Sequence, residues 1–118
     1  MDAKQHDYIL SITSHIPHLM AYNIVNTSIN IQEEKQSDII KYSAGGLRDF
    51  TRIAASNPIM WRDIFIQNKK NTSKEIERFI ANLKDLKNAI ENEDSKKLEE
   101  IFIKTKKLEK KLLKQGKT

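Results

Sequence analysis

The sequence predicts an all-α fold, and three observations predict it. Apolar residues recur at steps of three and four along most of the chain. No stretch alternates apolar and polar residues for long enough to make a strand. Only 3 Gly and 2 Pro occur among 118 residues, too few turn residues for a β-sandwich. With 38% hydrophobic residues the chain is too apolar for disorder. Its length fits a single domain, residues 1–118, able to bury roughly two-thirds of its unfolded surface.

The elements follow in order. Tyr8, Ile9, Ile12, Ile16, Leu19, Met20, Ile24 and Thr27 keep helical spacing, and Pro17 is expected to kink or restart that helix. Ser37 to Tyr42 reads as a short helix closed by Ser43-Ala44-Gly45-Gly46, and Leu47 to Ala55 as another. Asn57-Pro58 is an N-cap followed by a proline at the first helical position. No Gly or Pro interrupts the chain from Pro58 to Glu91, so one long helix (about 58–91) is expected, roughly 50 Å at 1.5 Å per residue. That exceeds the roughly 30 Å width of a small domain and calls for a second subunit. Thr72-Ser73-Lys74-Glu75 offers a rival start, because it matches a capping box. Asn92-Glu93-Asp94-Ser95 breaks the pattern, and Asp94 or Ser95 caps a last helix carrying Leu98, Ile101, Phe102, Leu108 and Leu112. The two helices form a C-terminal αα-hairpin whose end should fray from about Lys114.

Composition excludes several classes of function. Zero cysteines rule out a disulfide scaffold, a zinc ribbon and a thiol nucleophile, and fit a cytoplasmic protein. No apolar run approaches the roughly 20 residues of a membrane span, and no signal peptide is visible. The net charge of +5 is uneven. Residues 1–68 hold six Lys/Arg against seven Asp/Glu, whereas residues 69–118 hold fifteen against nine. That basic half is almost all Lys with no aromatic among the late lysines, which reads as a solvated face; neither nucleic acid nor membrane is expected as a partner.

Three stretches could carry chemistry. In Ser14-His15-Ile16-Pro17-His18 the proline breaks the i→i−4 ladder and frees polar backbone near Ser14 and His18. The histidines lack the further ligands of a zinc site, so no metal is expected. In Gly45-Gly46-Leu47-Arg48-Asp49-Phe50-Thr51-Arg52 adjacent glycines precede a helix, and an arginine follows that suits a carboxylate or phosphate. Asp49 and Arg52, at i and i+3, are spaced for an ion pair. A glycine cap with an ordinary surface pair explains the same residues equally well. Pro58-Ile59-Met60-Trp61-Arg62-Asp63 puts the sole Trp in the first turn of a helix, where a core or interface role is the simpler account. Taken alone, the residues give a helical, dimeric domain with an Arg-centred anion site.

These stretches also carry a resemblance. His6-Asp7, Ser14-His15-Ile16-Pro17-His18, Ala44 through Ala54 (AGGLRDFTRIA) and Asn57 through Asp63 (NPIMWRD) stand in the order and at the separations of the C-terminal domain of the prephenate, arogenate and cyclohexadienyl dehydrogenases. The resemblance covers about residues 3–90. It departs mildly at Leu47 and Ile16, where the family more often has Phe and Leu, and more in the Lys-rich tail.

The resemblance implies an all-α dimerisation domain, similar to the C-terminal domain of 6-phosphogluconate dehydrogenase. It implies a homodimer, prephenate or arogenate as substrate, and NAD or NADP bound mainly by an N-terminal Rossmann domain. The chain shows no G-x-G-x-x-G, so that domain and the proton-accepting histidine are expected to be absent from it, leaving no catalytic residue here. The substrate-binding residues it implies are Arg52 as carboxylate clamp, Ser14 and His18 to hydrogen-bond the substrate or orient its neighbours, Gly45 for close backbone approach, Asp49 to hold Arg52 or contact the cleft, and Trp61 from the partner subunit. His15, Arg48 and Arg62 are expected in supporting roles. Two alternatives belong to other classes: an all-α chorismate mutase-like domain, and a non-catalytic basic helical interaction module.

Overall fold

A computed structural model describes residues 1–43 and 45–116, and all regular structure among them is helical. Six α-helices run in order: α1 Ala3–Leu10, α2 Ile16–Lys35, α3 Gly45–Ala54, α4 Pro58–Gln67, α5 Lys69–Glu91 and α6 Ser95–Gln115. The described chain divides into two compact units, the first from Met1 to Glu77 and the second from Arg78 onward. Among the described residues no helix is long and apolar enough to cross a membrane.

In the first unit, α1 and α2 are joined without a loop by a π-helical turn over Ser11–His15. Its cause is Pro17, which has no N–H to give the carbonyl four residues back. The ladder widens just before it, and the Ile16 N–H reaches five residues back to the Ser11 carbonyl. Pro17 then stands in the first turn of α2, where a missing donor costs least. The expected interruption is thus a restart through a wider turn. Helix α2 ends at Gln36, which adopts the left-handed region (φ 51°) while the Ser37 N–H bonds the Gln32 carbonyl at 3.3 Å. This cap leaves less helix than expected before α3. Only the single 3₁₀ turn Ile40–Tyr42 forms, tied to α2 by the Ile40 N–H on the Gln32 Oε1 at 3.0 Å.

Helix α3 starts at Gly45, two residues before the expected Leu47, so the glycine pair lies inside its first turn. Ala44 of the same motif lies outside the described residues. The Tyr22 hydroxyl on α2 donates to the Ser56 carbonyl just beyond α3 at 3.0 Å and fixes the two helices together. Asn57 caps α4 as the sequence predicts, its Oδ1 accepting from the Ile59 and Met60 N–H groups at 3.0 and 3.1 Å.

The long helix expected over 58–91 is interrupted. Asn68, at φ −106° and ψ 33°, ends α4 by donating its N–H to the Ile64 carbonyl and opens α5 by accepting from the Thr72 N–H. The rival capping box at Thr72–Glu75 lies within α5 and starts nothing. The break sits where the run Gln67-Asn68-Lys69-Lys70-Asn71 carries no apolar residue, and where the Asn68 side chain has bonds to make elsewhere.

In the second unit the remainder of α5 and α6 make the expected hairpin. Glu93 takes the left-handed position (φ 52°), the Asp94 N–H closes on the Ala89 carbonyl at 2.8 Å, and the Asp94 Oδ1 caps α6 through the Lys97 N–H. Helix α6 persists to Gln115, past the expected fraying point at Lys114; residues 117–118 lie outside the described residues.

The core is smaller than the length allows. The buried hydrophobic residues among those described are Ala21, Trp61 and Ala89. Large apolar side chains stay exposed in both units, among them Ile59, Met60 and Ile66 in the first and Leu83, Phe102, Leu108 and Leu112 in the second. The helical stripes are present, but they face outward, and such surface is stabilised when something covers it.

Candidate functional site

The π-helical turn gathers a side-chain cluster in the first unit. It turns His15 inward until it is 9% exposed, and Ser11 is fully buried beside it. Trp61, projecting from the first turns of α4, fills the space against both histidines. Its ring stacks on His18 with centroids 3.9 Å apart and meets His15 edge-on at 6.1 Å. Phe65, one turn on, packs against the indole with ring centroids 5.5 Å apart and planes tilted by 40°.

Polar bonds complete the cluster. His18 Nδ1 lies 2.8 Å from the Ser14 carbonyl oxygen, one turn back. Asn68 reaches across from the α4–α5 break, its amide Nδ2 lying 2.9 Å from the Asp7 carbonyl oxygen and 3.1 Å from His15 Nδ1. Its Oδ1 accepts from the Asn71 amide at 3.0 Å. Burial holds the His15 imidazole below the ordinary histidine value; the Asp7 charge opposes that shift and His18 adds to it.

Helix α3 carries the second group of expected residues. Gly45, Asp49 and Arg52 fall at i, i+4 and i+7 and so share one helix face, with Arg48 beside them. All are exposed. Among the described residues Asp49 and Arg52 form no ion pair, although the spacing suits one, and the Arg52 guanidinium has no hydrogen-bond partner. A Cβ built on Gly45 or Gly46 would meet nothing within 4 Å, so neither glycine is required by packing inside this chain.

The sequence-predicted site thus appears as two groups. Ser14, His18 and Trp61 are drawn into one cluster, while Gly45, Asp49 and Arg52 share an open helix face. Trp61 is expected to reach the cleft from a partner subunit; here its ring, 7% exposed, stacks on His18 and meets His15 edge-on within its own chain. Arg62 pairs with its neighbour Asp63 at 2.9 Å on the exposed side of α4. Sequence reasoning missed Asn68. The signal available was a polar run that interrupts the apolar stripe between Ile66 and Thr72.

A dinucleotide cofactor held in the Rossmann manner sits on a glycine-rich turn between a strand and a helix. Among the described residues there is no strand, and the Gly45-Gly46 pair follows a 3₁₀ turn. The described residues form no cradle of that kind.

The chain is similar to known proteins over most of its length. Residues 2–104 match the family described as prephenate dehydrogenase, dimerization domain. A cyclohexadienyl dehydrogenase of Zymomonas mobilis is 40% identical over 102 residues, covering 86% of this chain and 35% of that protein. A prephenate dehydrogenase of Bacillus subtilis is 36% identical over 102 residues, covering 86% of this chain and 27% of that protein. The chain therefore spans about a third of the length of the curated relatives it matches. Among solved structures, a prephenate dehydrogenase from Aquifex aeolicus, in complex with hydroxyphenyl propionate and NAD+, superimposes with a TM-score of 0.83 at 44% identity, over 92% of this chain and 38% of that one. With the family matched over most of its length and the helical fold shared, this chain belongs to the prephenate dehydrogenase dimerization-domain family.

Proposed function

We propose that the chain is the dimerisation and substrate-cleft part of a dehydrogenase that oxidatively decarboxylates prephenate, or its amino analogue arogenate, with a nicotinamide cofactor. The product from prephenate is 4-hydroxyphenylpyruvate, and carbon dioxide leaves as the ring becomes aromatic. The redox chemistry belongs to that cofactor, for which the described residues form no glycine-rich cradle. The share of this chain is recognition and position.

One observation carries the reading. In a chain of this family, the Arg52 guanidinium stands exposed and unpaired on the α3 face it shares with Gly45. Prephenate carries two carboxylates, and a guanidinium holds a carboxylate through two parallel hydrogen bonds. Ser14 and His18 lie at the widened turn, where they contribute further polar contacts, and Asp49 orients Arg52 once substrate is present. The outward apolar stripes of both units support a second copy of the chain as the covering partner, giving a homodimer.

The test uses the complete enzyme that contains this chain, followed through prephenate-dependent reduction of NAD or NADP. Arg52→Ala is expected to raise KM for prephenate roughly 10- to 150-fold, the worth of one charged hydrogen-bonded contact, and to leave KM for the cofactor unchanged. Equal effects on both constants remove the clamp. Conversion of chorismate to prephenate by the enzyme without cofactor would move the assignment to a mutase.

A further inference from the structure

Asn68 sits where two helices break and holds three partners at once, none of which the proposed chemistry uses. Its orientation follows from those partners. The Asp7 carbonyl oxygen, 2.9 Å away, accepts only, so the atom facing it is the amide nitrogen. With the nitrogen fixed on Asp7, the other end is the amide oxygen, which accepts from the Asn71 amide at 3.0 Å. The nitrogen has two hydrogens. One goes to Asp7, and the second points to His15 Nδ1 at 3.1 Å. That ring nitrogen must then offer a lone pair, and the proton of the neutral imidazole sits on Nε2.

His18 has the opposite arrangement. Its Nδ1 faces the Ser14 carbonyl oxygen, which accepts only, so the proton is on Nδ1 and Nε2 carries the lone pair in the neutral ring. Two imidazoles three residues apart, both against Trp61, therefore present opposite characters at Nε2: a donor on His15 and an acceptor on His18.

We propose that Asn68 is the positioning residue of this cluster: it fixes His15 as one neutral tautomer, protonated at Nε2, and ties the α4–α5 break to α1 and the π-helical turn. The titratable groups that act on His15 are Asp7 on α1 and His18 on α2. Asp7 favours a protonated ring, and the amide of Asn68 opposes it by occupying Nδ1 with a donor. Burial works in the same direction as the amide. The proposal concerns this chain alone and does not rest on its assignment to a dehydrogenase.

The test is nitrogen-15 NMR of the imidazoles in the full chain, followed across pH, with far-UV circular dichroism as the check on folding. In the unaltered protein His15 is expected as the Nε2–H tautomer and His18 as Nδ1–H. Asn68→Asp keeps the size but turns the donor into an acceptor. His15 is then expected to move its proton to Nδ1, and its pKa to rise by about one unit or more, a tenfold or greater gain in proton affinity. A merely structural role would leave the tautomer unmoved. Two results overturn the proposal: His15 protonated at Nδ1 in the unaltered neutral protein, or Asn68→Asp folding normally with the tautomer and titration of His15 unchanged. Should the variant lose its helical signal, the tautomer of the unaltered protein decides alone.

Discussion

His18 lies flat on Trp61, with ring centroids 3.9 Å apart and ring planes inclined by 17°. The pair joins the first turn of α2 to the first turns of α4, two elements about forty residues apart in sequence. Among the described residues of the first unit, the buried hydrophobic side chains are this indole and Ala21. The stack is thus both a wall of the candidate site and the centre of a small core.

Removal of the ring should cost more than a typical substitution. Trp61→Ala empties the space between His15, His18 and Phe65, and core changes of this kind cost about 3–5 kcal/mol. That is a large part of the stability of a small domain. Urea unfolding followed by circular dichroism is expected to show a strongly lowered midpoint for Trp61→Ala and a smaller shift for Trp61→Phe, which keeps an aromatic face. Equal midpoints for all three proteins would show that the ring is not the centre of the core.

Much of this architecture is legible in the sequence, and what is not legible has physical causes. Asn57-Pro58 and Asp94 announce their helices because capping is local: the side chain bonds an N–H two or three residues on. Pro17 announces an interruption for the same local reason, a missing donor, but that reason fits a kink as well as the π-helical turn that forms. The break at Asn68 could not be read from local preference. No Gly or Pro marks it, and the bonds that favour it go to Asp7 and His15, more than fifty residues away. The candidate residues were legible as members of three motifs. Their separation into a histidine–tryptophan cluster and an open α3 face was not, because spacing along the chain does not say which helix faces meet.

The lowered pKa of His15 has a consequence for acid stability. The folded value lies below the ordinary 6.5 of the unfolded chain, so the unfolded state takes up the proton first as pH falls. Above about 6.5 both states are neutral and His15 imposes no pH dependence. Below it, stability declines until the folded value is also passed. Urea midpoints measured from pH 7.5 down to 5 are expected to fall, and His15→Gln, which cannot titrate but can still accept from Asn68, is expected to flatten that fall. An unchanged slope in the variant would assign the acid loss to other groups.

Gly45 separates the demands of folding from those of recognition. It begins α3 with open space where a Cβ would be, and its φ is not positive, so nothing in this chain penalises a side chain there. Alanine also restricts the unfolded chain more than glycine and favours the helix. Gly45→Ala should therefore leave the thermal midpoint unchanged or raise it, by the equivalent of up to about 1 kcal/mol. Under the proposed function, close approach of a dicarboxylate to the backbone at the start of α3 is the reason for a glycine that packing does not supply. In the complete enzyme the same substitution is expected to raise KM for prephenate several-fold, because the added methyl holds the ligand off both the backbone and the Arg52 guanidinium seven residues along the same face. A variant that gains stability and loses affinity would mark Gly45 as a residue kept for its ligand. One that changes neither would remove Gly45 from the proposed cleft and leave Asp49 and Arg52 as the candidates from α3.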